Sequence, residues 1–247
     1  MLHTVTALNG ENTGGTATAG PRQERGWTYA LAALLVFLLL GLDVLSVLLG
    51  AIIDGRSPAE FGGYNTHWYA TVGSLLCSVI IWTISTLLLR RWAKRRGALD
   101  RLFATIRSRR VFLASLAGII VLSGIAWLES HSAIPSFISE YRGFERHYPG
   151  QALLVTVIQY VYYLLESIMV LWILALWQRA GELWTGLHGV PWGGLGLTLT
   201  WGLAHFASHP QGAWVVIASA LVLGIVFLVA RKSYLATFAV IYSVFLL

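Results

Sequence analysis

Glu166 lies in the run YVYYLLESIMVLW and His205 in LTLTWGLAHFASH, an acid and an imidazole set among residues suited to hydrocarbon. A carboxylate within hydrogen-bond reach of a water can take its proton, and an imidazole beside it can orient the carboxylate or pass the proton on. This pair of residue types therefore points to general acid–base hydrolysis. Helical spacing supplies each with companions. Gln159, Tyr163 and Glu166 fall four and three residues apart, and Thr198, Trp201, His205 and Ser208 repeat the pattern, giving two polar stripes on apolar helices. Tyr163, Trp201 and His209 are the candidate substrate or oxyanion donors beside them, with Tyr234 and Tyr242 further along the chain. A plain structural role fits the same stripes, because buried polar groups join membrane helices at about 0.6–2 kcal/mol per contact.

The other intramembrane acid is Asp43, in GLDVLSV. An acidic residue at the centre of a membrane helix costs about 2.5–3.5 kcal/mol and normally finds a partner inside the bundle. For Asp43 a structural role is expected, as a neutral group bonded to a neighbouring carbonyl or to Ser46. His205 and His209 stand four apart on one helical face, a spacing seen in zinc sites. However, no HExxH is present, Pro210 follows His209, and a third ligand is missing. No metal or other cofactor is expected, zinc being the only one that the spacing suggests.

The elements that must hold these residues follow from composition. The chain of 247 residues is 57% hydrophobic and 11% charged, with a mean hydropathy of +0.69, which excludes an ordinary soluble domain. An all-α, polytopic transmembrane helix bundle is expected, with about seven spans at roughly 27–52, 69–89, 111–128, 151–178, 193–209, 212–230 and 233–247. Residues 1–26 read as a disordered N-terminal tail without a signal peptide, and 27–247 as one transmembrane domain. Cys77, the single cysteine, rules out a disulfide framework.

Nine of the seventeen lysines and arginines lie in residues 90–110, a short stretch between two spans and so expected to be cytoplasmic. Arg22, Arg25, Arg179 and the Arg231–Lys232 pair join it on that side, which gives a multi-pass cell-membrane protein with its N-terminus cytoplasmic and its C-terminus outside. Between two spans, a basic run is suited to anionic lipid headgroups rather than to nucleic acid. The partners expected are membrane lipids and an unidentified peptide or protein. Outer loops fall at 54–68 and 128–150, and tryptophans 27, 68, 127, 177 and 192 mark span ends as an interfacial belt.

On these motifs residues 151–247 resemble the CPBP family (CAAX protease and bacteriocin-processing, or Abi) of intramembrane proteases. That family carries Glu-Glu-xxx-Arg on one span, Phe-xxx-His on the next and a late His-xxx-Asn. Here Glu166 stands for the glutamate pair, with Leu165 or Ser167 as its neighbour and Val170 or Leu171 at the arginine position. Trp201-Gly-Leu-Ala-His205 keeps the second motif with a different aromatic, and Ile241 and Phe245 fall where the closing histidine and asparagine belong. The resemblance implies a divergent endopeptidase acting on a membrane-embedded or membrane-adjacent peptide, with Glu166 activating water and His205 assisting. The missing third motif implies the alternative, a catalytically inactive relative serving as a binding, immunity or scaffold factor.

Overall fold

The computed structural model describes residues 24–56, 65–105, 108–130, 135–208 and 213–246. Eleven α-helices and one π-helical turn make up the described chain, with a single isolated bridge, Ala104 to Ser233, in place of any strand. The helices are α1 (Gly26–Gly41), α2 (Asp43–Ile53), α3 (Trp68–Arg95), α4 (Leu99–Leu102), α5 (Arg109–Ser130), α6 (Ser136–His147), α7 (Ala152–Thr185), α8 (Trp192–Leu197), α9 (Leu203–Ser208), α10 (Ala213–Val229) and α11 (Tyr234–Leu246). Four helical stretches are long and apolar enough to cross a membrane: Gly26–Ile53, Trp68–Arg95, Arg109–Leu128 and Ala152–Thr185. The apolar α10 and α11 are shorter.

α7 is the axis of the bundle. Val170 to Leu176 are buried on every face of the helix, as expected of an apolar helix enclosed by others. It packs against α1, α3, α6, α8 and α11. Gly186 ends it in the left-handed region (φ 72°), its N–H closing on the Glu182 carbonyl at 2.9 Å. α8 wedges between α7 and α10 because its glycines leave room. A Cβ on Gly194 would lie 2.9 Å from the Ala220 carbonyl oxygen, and one on Gly224 would lie 2.6 Å from the Gly194 backbone. This small-residue contact is a usual way for membrane helices to approach closely.

The chain departs from regular α-helix at two places that matter for the site. α1 breaks at Leu42, and the freed carbonyl of Leu39 accepts the indole N–H of Trp82 at 3.1 Å. Asp43 begins the helix on the far side of the break. Between α8 and α9 runs the π-helical turn Thr198–Gly202, one extra residue of the kind that often marks functional sites. Thr200 steadies it by donating to the Gly196 carbonyl at 2.9 Å.

The expected boundaries need adjusting at two points. Glu24, read as part of the tail, is fixed to the bundle by Tyr29, Arg101 and Arg179, and Gly26 opens α1. The segment 128–150, expected to be an outer loop, contains α6. Its Phe137, Tyr141 and Phe144 fall four and three residues apart, with Phe144 buried and Tyr141 packed beside it.

Candidate functional site

Asp43, Ser78, Tyr162, Glu166 and Trp201 meet at the centre of the bundle. Ser78 donates to one Asp43 carboxyl oxygen at 2.6 Å and the Tyr162 hydroxyl to the other at 3.1 Å. Three helices produce this meeting: α2 contributes Asp43 just past the break at Leu42, α3 contributes Ser78, and α7 contributes both Tyr162 and Glu166. Trp82, its ring tilted 44° to that of Tyr162 at 4.7 Å between centres, packs one side of the cluster. Ser46, the expected partner of Asp43, is not its partner: its buried hydroxyl makes no hydrogen bond.

Glu166 makes no hydrogen bond of its own among the described residues, and its electrostatic neighbours are Asp43 and the Trp201 indole. The indole N–H is buried and stops short of a full hydrogen bond to the carboxyl. His205 stands one turn beyond Trp201. Its Nδ1 lies 3.0 Å from the Trp201 carbonyl and its ring meets the indole edge-on at 4.7 Å. Trp201 thus links the two residues that the sequence pairs. It presents its indole to Glu166 and its carbonyl to His205, and the extra residue of the π turn helps to set that orientation.

The Tyr163 hydroxyl donates to Glu140 of α6 at 2.7 Å. Burial pushes the Glu140 carboxyl up, against the lowering influence of the Tyr163 and Tyr160 hydroxyls. Tyr242 donates to the Tyr160 carbonyl at 3.4 Å, and Tyr234 lies on the opposite end of α11. His209 lies outside the described residues. Ile241 is buried in the main core and Phe245 stacks on Tyr163 at 4.7 Å, so both positions of the third motif carry packing side chains.

Three contributors escaped the sequence reading: Ser78, Tyr162 and Glu140. Tyr162 is adjacent to the stripe but on the neighbouring face, and only the positions of α1 and α3 reveal that this face meets Asp43. Glu140 had a signal, being one of two acids in the amphipathic segment SFISEYRGFERH.

At one end of the bundle lies a different polar group. Glu24 accepts from Tyr29 at 2.6 Å and from both Arg101 and Arg179. Burial raises its carboxyl, and these donors more than offset that, holding it below the usual range. Glu182, also buried, accepts from Lys232 at 2.7 Å and from Gln178 at 2.8 Å. Gln178 further ties the 186–193 segment to α7 through the Val190 carbonyl and the Gly193 N–H.

Among the described residues no three His, Cys, Asp or Glu side chains converge as a metal site would require. No family model, curated protein or solved structure matches the chain.

Proposed function

We propose that this chain is an intramembrane endopeptidase of the CPBP-like kind, in which Glu166 activates water against a membrane-embedded or membrane-adjacent peptide. The observation that carries the reading is the company Glu166 keeps. Its neighbours are an acid and an indole N–H, with no lysine or arginine to neutralise it. An intramembrane acid without a cation is a functional candidate by default. In the proposed step Glu166 takes a proton from water as the oxygen attacks the peptide carbonyl, and it returns the proton to the leaving amine. Trp201 orients the carboxyl through its indole, and His205, fixed by the Trp201 carbonyl, borders the same space. Asp43, held by Ser78 and Tyr162, supplies the second charge that tunes Glu166.

The reading includes seven spans, with α8 to α9, α10 and α11 completing the four longer ones, and a cytoplasmic N-terminus. Glu24, Arg101, Arg179 and Lys232 gather at one end of the bundle, which supports placing their segments on one side. Reporter fusions after residues 100 and 247 should then report opposite sides, and the same side from both would remove a span.

A second reading, a non-catalytic relative that binds a membrane peptide or protein, draws on Ile241 and Phe245, whose packing leaves no donor at the third motif. Glu166→Gln separates the two. The amide keeps shape and hydrogen bonding but accepts no proton, so processing in membranes at normal abundance should cease for a peptidase and continue for a binder.

A further inference from the structure

Away from the Glu166 cluster, a cavity of about 950 Å³ opens between α3, α4, α5, α7 and α11. Its deep wall is apolar, formed by Ile119, Ile168 and Trp172, with Phe103 set edge-on to Trp172 at 5.0 Å. Its rim includes Leu87, Phe112, Leu116 and Leu235, which are 59%, 66%, 44% and 61% exposed. These four belong to or border helices long or apolar enough for a membrane, so the cavity opens sideways where acyl chains would lie. A water-soluble ligand has no use for such a side entrance.

The mouth is of opposite character. Arg90 and Asp100 both line it, neither forms an ion pair among the described residues, and Ser108, Ser233 and Tyr234 accompany them. Arg90 acts electrostatically on Tyr234, which fixes the guanidinium on the α11 side. The mouth sits at the end of the bundle that holds the basic stretch 90–110, the level expected for lipid headgroups. Among the described lining residues, one positive and one negative group without an ion pair, beside an apolar shaft, match a ligand with a phosphate, an ammonium and a hydrocarbon chain.

We propose that this cavity seats one glycerophospholipid with an ammonium-bearing headgroup. Its phosphate meets Arg90, its ammonium meets Asp100, and an acyl chain lies against Ile119, Ile168 and Trp172. Asp100 is the discriminating residue, since Arg90 by itself would accept any phospholipid. The occupant enters laterally between α5 and α11, past Phe112 and Leu235.

The test is native mass spectrometry of the full-length protein after incubation with an equimolar mixture of dioleoyl phosphatidylethanolamine, phosphatidylglycerol and phosphatidylcholine. One ammonium-bearing lipid per chain, phosphatidylethanolamine or phosphatidylcholine, should be retained in excess of phosphatidylglycerol. Arg90→Gln should reduce retention of all three about fivefold, as expected for one basic group at a headgroup. Asp100→Asn should abolish the preference for the ammonium-bearing lipid over phosphatidylglycerol while leaving total retention high. Ala239→Trp, which fills the shaft, should remove the retained lipid. If that variant fails to fold, the Arg90 and Asp100 variants decide the matter alone. Equal retention of the three lipids by the unaltered protein, unaffected by Arg90→Gln and Asp100→Asn, would overturn the proposal. So would displacement of the lipid by free phosphoethanolamine, or a lipid-free dimer as the dominant species.

Discussion

Two groups of acids in this molecule live in opposite company. At the end of the bundle Glu24 and Glu182 are surrounded by Arg101, Arg179 and Lys232, and each of these five charges finds a counterpart. In the bundle centre Asp43 and Glu166 have Ser78, Tyr162 and Trp201, and no cation. The first arrangement fastens: it draws together the start of α1, the stretch after α3, the end of α7 and the turn before α11. The second fastens little for the desolvation it requires, because a hydroxyl or indole returns less to a carboxyl than a guanidinium or ammonium does. An acid that contributes poorly to holding helices together, yet stands in the most costly place for it, is better explained by what it does to a bound molecule.

The same chemical change made in both places should break the molecule in different ways. Glu166→Gln is expected to reduce peptide processing by two or more orders of magnitude, of the size typically carried by one general base. Thermal stability in detergent should stay unchanged, and retained processing would remove Glu166 as a base. Glu182→Gln is expected to do the reverse. It leaves the Lys232 ammonium without its carboxylate and should lower stability by about 2 kcal/mol, less than the 3–5 of a fully buried pair because Lys232 is partly exposed. Processing per folded molecule should persist, and an unchanged denaturation midpoint would show that the end network does not fasten.

Ser78→Ala sharpens the contrast from within the central cluster. Loss of the 2.6 Å bond to Asp43 should cost about 1 kcal/mol, and activity should fall through Asp43 rather than through unfolding. A variant losing stability and activity in equal proportion would place Asp43 among the fasteners. The smallest effect is at the opposite end of the molecule, where Asp54 accepts from the Thr66 and His67 backbone N–H groups at 2.6 and 2.8 Å. Burial raises its carboxyl, but these donors and the His67 ring hold it down at about 2, below its ordinary 3.8. Because the folded value is the lower, the stabilisation is complete above about 4 and disappears as pH falls toward 2. Amide exchange at Thr66 and His67 should quicken across that window, and Asp54→Asn should flatten the dependence.

The sequence carried the class of fold and one half of the site. Hydropathy and the crowding of arginines and lysines are properties of runs, so they survive without any knowledge of how helices pack. Glu166 was legible for the same reason, as a lone acid in an apolar run with a stripe around it. Its link to Asp43 was not. The two are separated by more than a hundred residues, and the break at Leu42 that sets the position of Asp43 falls in a sequence, LLLGLDVL, which contains no proline. Helical spacing pairs Glu166 with His205, and the part that Trp201 plays beside both, its indole toward Glu166 and its carbonyl at His205, was not legible. An i→i+5 turn leaves no trace in a pattern read at 3.6 residues. Glu182 lies beyond the expected end of its span, and its significance lies in Lys232, fifty residues later.

The turn between α10 and α11 has Arg231 and Lys232 in succession at φ 54° and 59°, a conformation that side chains other than glycine rarely adopt. Lys232 gives its ammonium to Glu182 and its carbonyl to the Ala104 N–H at 2.9 Å, so one residue is clamped at both ends. In mechanical terms the joint has no free axis: α10 and α11 can neither swivel about the turn nor slide along α7 without releasing Glu182 or Ala104. The pair moves with α7 as one lever. α5 leans chiefly on α10 and α11, and the Ala104–Lys232 bond, five residues before it begins, ties its leading segment to the same joint.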